Sequence, residues 1–209
     1  DGSFSGSGGN TESVQLEVGG RAQWLGARDR LRLQAAMAYE ESGGEETERD
    51  VVAHLRHNRD LSPAWSTVLF VQIQHNPFQR LRRRWLLGAG LRHDLSDDDR
   101  GSVRLGATPM LEIEKLDDAG GTTARGRLSV FLHVARDLRD DVRVDLVGFW
   151  QPLFSDLADF RAVGNLTLTV AVTGAVDLKT GVSVEDDARP PAGVERTDWE
   201  TFVGLALGF

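Results

Sequence analysis

Apolar and polar residues alternate along this chain with a period of two. Val14, Leu16, Val18, Gly20, Ala22 and Trp24 interleave with Ser13, Gln15, Glu17, Gly19, Arg21 and Gln23, the pattern of a strand with one apolar and one polar face. The same alternation marks residues 31–39, 65–73, 81–91, 103–113, 128–134, 142–150, 166–172, 176–184 and 199–209. With residues 2–9 and 50–58 it predicts twelve strands and almost no helix. Turn-rich segments separate them at 26–29, 43–49, 60–63, 76–78, 96–101, 117–122, 136–141, 155–159, 174 and 186–196. An even number of strands joined by hairpins predicts an all-β fold: a twelve-stranded antiparallel up-and-down barrel, one domain over residues 1–209.

Alternation alone does not say which face is inside. Twelve strands enclose a bore wider than side chains fill, and small residues on the apolar face, such as Gly20, Ala22, Ala35, Ala89, Ala107 and Gly164, would not plug it. The apolar face is therefore expected to point outward, into lipid. Large aromatics on that face fall near strand ends, as a membrane-interface girdle requires. Trp24, Trp65 and Phe209 fall at one rim, and Tyr39, Trp85, Trp150, Phe160 and Trp199 at the other. Ten steps from Trp199 to Phe209, at about 3.4 Å each and a tilt of about 40°, give roughly 26 Å, the height of an outer-membrane apolar band. The long connectors expected at 41–50, 116–123 and 185–197 then lie outside the cell, and both termini are periplasmic.

Composition narrows the alternatives. The 209 residues contain no cysteine, which excludes a disulfide scaffold, and the net charge of −8 argues against nucleic acid as a partner. Apolar runs such as Val68-Leu69-Phe70-Val71 are far too short for a membrane helix. The chain begins on a Gly/Ser-rich strand-like segment, which reads as a mature or trimmed chain.

Several motifs carry a family resemblance. They are Gly9-Asn10-Thr11, then Phe78-Gln79-Arg80-Leu81 with Arg84, Leu87, Gly88 and Gly90. Pro152-Leu153-Phe154-Ser155-Asp156 follows, leading to Asp159-Phe160-Arg161, and last Pro190-Pro191-Ala192-Gly193-Val194 with Asp198, Gly204, Leu205 and Phe209. In this order, over nearly the whole length, the chain resembles the salt-induced outer-membrane protein family, a YdiY-like family of unknown function; the Arg run 82–84 and a short first strand depart from it. The resemblance implies a barrel in the outer membrane of a Gram-negative bacterium, with no catalytic residues to carry over. The terminal Phe209 resembles the signal read by the outer-membrane assembly machinery.

Pairing residues about the turn near Asp98 sets Arg84 opposite Glu112 and Arg82 opposite Glu114; pairing about 117–121 sets Arg127 beside Glu112 and Arg125 beside Glu114. The expected result is an Arg–Glu–Arg ladder on the polar face, lining a constriction or zipping it shut. Phe70, Phe131, Phe149 and Phe202 are also expected to face inward and narrow the bore. On the apolar face, Arg83 beside Trp85 is placed to reach a lipopolysaccharide phosphate. Pro109 sits mid-strand, where a bulge or kink is expected. His57, His75 and His93 point outward with no serine companion, and His133 faces inward where Asp145 could pair with it; the expectation is no enzyme, no metal and no cofactor. The polar interior predicts a narrow passive pore. A scaffold subunit bound to other envelope proteins, or a carrier of lipid or apolar ligand, are the competing readings.

Overall fold

The computed structural model describes residues 2–7, 13–117 and 121–207. Its strands are β1 (Gly2–Ser7), β2 (Ser13–Leu25), β3 (Asp29–Ser42), β4 (Glu45–Asp60), β5 (Trp65–Asn76), β6 (Leu81–Asp98), β7 (Gly101–Leu116), β8 (Thr123–Arg139), β9 (Val142–Pro152), β10 (Phe160–Thr173), β11 (Val176–Asp187) and β12 (Thr197–Leu207). All lie in one sheet in chain order, each antiparallel to the next.

Facing is inside out relative to a water-soluble protein. Leu33, Leu55, Leu69, Leu87, Leu105, Leu111 and Leu166 are each exposed by 40–47% on the outer wall, whereas the most deeply buried side chains include Arg127, Glu112, Thr108 and Ser66. A contiguous apolar surface of this kind marks contact with something other than water. The sheet curls about its polar face: Arg56 on β4 lies 4.9 Å from the centroid of the Phe131 ring on β8, and Arg161 on β10 reaches Glu114 on β7 at 3.0 Å.

Strands run longer than the alternation suggested. The connector expected at 41–50 is only the pair Gly43 and Gly44, both at positive φ (63° and 81°), the two-residue hairpin in which glycine carries no steric cost. Ser96–Asp98 and Arg136–Arg139 are likewise strand, not turn. The connectors on the side of the termini are short, residues 26–28, 61–64, 99–100, 140–141 and 174–175; at the far end lie 117–122, 153–159 and 188–196.

Pro109 breaks the β6–β7 ladder without a bulge. Gly88 pairs with Met110 and Leu91 with Ala107 in one continuous register, with no pairing at Ala89 and Gly90 between them. Proline has no N–H to offer there, and the neighbouring Thr108 hydroxyl is buried without a hydrogen-bond partner. Outside this break a groove of about 700 Å³ is lined by residues including Leu87, Ala89, Pro109, Leu111 and Phe154.

Candidate lumen site

The polar face brings charged residues together at the far end of the bore, in a different register from the one expected. Arg84 pairs with Glu114 and Leu86 with Glu112 across β6–β7; Arg125 pairs with Glu112 and Arg127 with Met110 across β7–β8. Both registers are two residues from expectation, because the β6–β7 turn lies at residues 99–100, a bulge follows between Asp94 and Ser96, and the next turn is also displaced. A shift by an even number keeps every side chain on its face, so the ladder becomes diagonal.

Arg84 donates through Nε and Nη2 to Glu114 Oε2 at 2.8 and 2.6 Å and stands 3.8 Å from Glu112. Arg127 is 1% exposed; its Nε donates to Glu112 at 3.2 Å, its Nη2 to Asp159 Oδ1 at 2.9 Å, and its Nη1 to the carbonyls of Gln151 and Asp159 at 2.9 and 3.3 Å. Two expected members fall outside. Arg82 lies exposed within the bulge between Leu81 and Arg83 and takes no part, and Arg125 approaches Asp159 at 3.9 Å in place of Glu114. Arg83 is exposed on the outer wall, directly paired with Lys115.

Three residues outside the β6–β7–β8 pairings complete the cluster: Asp159, Arg161 and Asp187, the last two directly paired across β10–β11. Arg161 crosses from β10 to donate to Glu112, to Glu114 at 3.0 Å and to Asp187 at 2.9 Å. Their convergence follows from β9. That strand stops at Pro152, well below the top of β8, and residues 153–159 turn in to fill the space between β8 and β10, held by the isolated Arg127–Leu153 bridge and the Phe154 N–H to Gly126 O bond. Arg127 is the clasp of this insert. Three guanidiniums meet four carboxylates, so each buried charge has a partner, the condition under which burial is tolerated. Outside the strands, Arg196 is held above the ordinary guanidinium range by its hydrogen bonds to Asp186.

The inward aromatics do less to narrow the bore than their size suggests. Phe70 is directly paired with Gly88, Phe131 with Gly106 and Phe202 with Gly181. In each pair a Cβ on the glycine would overlap the ring, so the ring lies flat over the wall where a side chain is missing, as in the aromatic rescue of sheet glycines. Phe149 instead packs against Phe131 with centroids 5.9 Å apart. The His133–Asp145 hydrogen bond is not formed; Asp145 accepts from Arg143 at 3.0 Å. Of the aromatics expected at the rims, Trp24, Trp65, Trp150 and Trp199 are 42–71% exposed, Tyr39, Trp85 and Phe160 are half-buried, and Phe209 lies outside the described residues.

The model of one protein family, described as a protein of unknown function, DUF481, matches residues 2–209. No curated protein matches the chain. Among solved structures it is similar to the NanC porin, with a TM-score of 0.54 at 14% identity, covering 100% of this chain and 97% of that one. It is also similar to the KdgM porin, with a TM-score of 0.46 at 10% identity, covering 100% and 95%. The fold is a porin-like β-barrel.

Proposed function

We propose that this chain, which belongs to the DUF481 family of proteins of unknown function, is a narrow passive pore of the bacterial outer membrane, with periplasmic termini and no catalytic role. The observation that carries the reading is the buried Arg84–Glu112–Glu114–Arg161 cluster in the bore, the kind of charged ring that sets selectivity in channels. A polar interior behind an apolar exterior supports passage of hydrated solute over carriage of lipid. The resemblance to salt-induced proteins supports expression under osmotic stress as part of the same reading.

Purified, refolded protein in planar bilayers should give discrete ohmic steps, and Glu112→Gln should change their size and ion preference. Silence in bilayers together with a co-purifying envelope protein would sink the pore and favour a scaffold.

Membrane placement has its own test. Trp24, Trp65, Trp150 and Trp199 on the outer wall should be quenched most strongly by bromine carried near the glycerol end of the acyl chains and less by bromine at the bilayer centre. Equal emission in brominated and plain lipid would refute it. The Arg83–Lys115 pair at the far rim supports contact with lipopolysaccharide phosphate. Delivery by the assembly machinery and contact with other envelope proteins belong to the same proposal.

A further inference from the structure

Toward the termini the bore changes character. Arg32 on β3 and Arg56 on β4 are directly paired, both facing inward, and like charges placed opposite one another destabilise a sheet. Arg21 on β2 pairs with Gln34, one diagonal step from Arg32. Other arginines at this level have carboxylates: Arg30 reaches Asp60 at 2.5 Å, Arg92 reaches Asp94 at 2.8 Å and Arg104 stands 3.7 Å from Asp94. Arg21, Arg32 and Arg56 have none within ion-pair distance among the described residues. Arg21 meets the Gln34 amide, Arg56 donates to Asn58 at 3.1 Å, and both contacts leave the charge unneutralised.

These groups converge on one volume. Arg32 lies in the field of Arg21, Arg30, Arg92 and Arg104, and Arg56 in that of Arg92 and Arg32. His133 on β8 lies in the field of Arg104, Arg32 and Arg56 and of Asp145, and five strands, β2, β3, β4, β6 and β7, direct guanidiniums into the same stretch of bore. Aromatic surface borders it: Arg56 covers Phe131, Phe149 packs on Phe131, and His54 stacks on Phe70 with centroids 5.6 Å apart. Within a chain of net charge −8, an uncompensated arginine pair on an inward face calls for an anion from outside.

We propose that Arg32 and Arg56, with Arg21, form a binding site in the bore for organic carboxylates. Paired guanidinium forks match the two oxygens of a carboxylate, and the aromatic border favours an anion with an apolar body over chloride. This deepens the pore reading by naming the class of solute, yet binding can be measured without conduction.

The test is calorimetric titration of the refolded full chain in detergent with sodium benzoate, against sodium chloride at equal ionic strength. Saturable benzoate binding is expected, weakened at least about tenfold, or ~1.4 kcal/mol, in the Arg32→Gln/Arg56→Gln double variant. Removing two like charges should leave folding intact, checked by heat-modifiable gel migration. Should that variant fail to fold, Arg56→Lys, which keeps the charge and loses the fork, should still bind benzoate several-fold more weakly. No benzoate heat beyond that of chloride, or undiminished binding in the variants, overturns the site. Binding without bilayer conductance leaves the site standing and removes the pore; conductance without binding does the reverse.

Discussion

Replacing Arg127 with alanine should cost about 3–5 kcal/mol of unfolding free energy, among the largest losses of any single substitution in this chain. The guanidinium is almost wholly buried and serves Glu112, Asp159 and two backbone carbonyls together. Its loss takes from buried Asp159 its close cationic partner, removes one of the guanidiniums that hold Glu112, and frees the insert that stands in for the missing top of β9. Arg127→Lys should recover only part of the loss, since one ammonium cannot span all four acceptors. Urea unfolding in lipid vesicles, followed by tryptophan emission, measures both. A difference under about 1 kcal/mol for Arg127→Ala, the range of exposed pairs, would show that water reaches this site and that the clasp is incidental.

The second large effect is expected at Gly106. Its Cα faces the Phe131 ring, and any side chain there overlaps it, so Gly106→Val must lift the ring from the wall and displace Arg56 above it. Overpacking of this kind costs about 1–3 kcal/mol, and the displaced ring should also lower conductance. The decisive measurement is a double-mutant cycle with Phe131→Ala. If the clash is the cause, the second change should restore most of the lost stability and give a coupling of about 1–3 kcal/mol. Additive losses would mean that Gly106 is needed for some other reason.

Much of the architecture is legible in the residue order. Period-two alternation exposes the strands, and the small residues on the apolar side tell that this side faces out. Register is harder. A hairpin centred at residues 99–100 and a bulge at Asp94/Ser96 move Arg84 from Glu112 to Glu114, and nothing in the Ser96–Gly101 stretch marks which acidic residue turns the chain. Arg161 was invisible for a different reason: its contacts with Glu112 and Glu114 cross two intervening strands, and they depend on curvature and on where β9 ends. The Phe–Gly pairs were within reach, since each is a direct cross-strand pair, but they emerge only once the register is right. Arg32 and Arg56 meet as a direct pair on the inward face only in the folded register, and their lack of a carboxylate partner appears only with the neighbours in place.

Fixed charge is distributed unevenly along the barrel axis. The far end carries a balanced-to-acidic group, three guanidiniums against four carboxylates, with Glu185 in the field of Asp50 and Asp198 nearby. The end nearer the termini carries bare arginines. The molecule is thus polarised lengthwise, and because barrels insert with one orientation, every copy in a membrane would point this polarity the same way. Current through it should rectify: the two signs of applied voltage would meet different entry barriers, as they do in a diode.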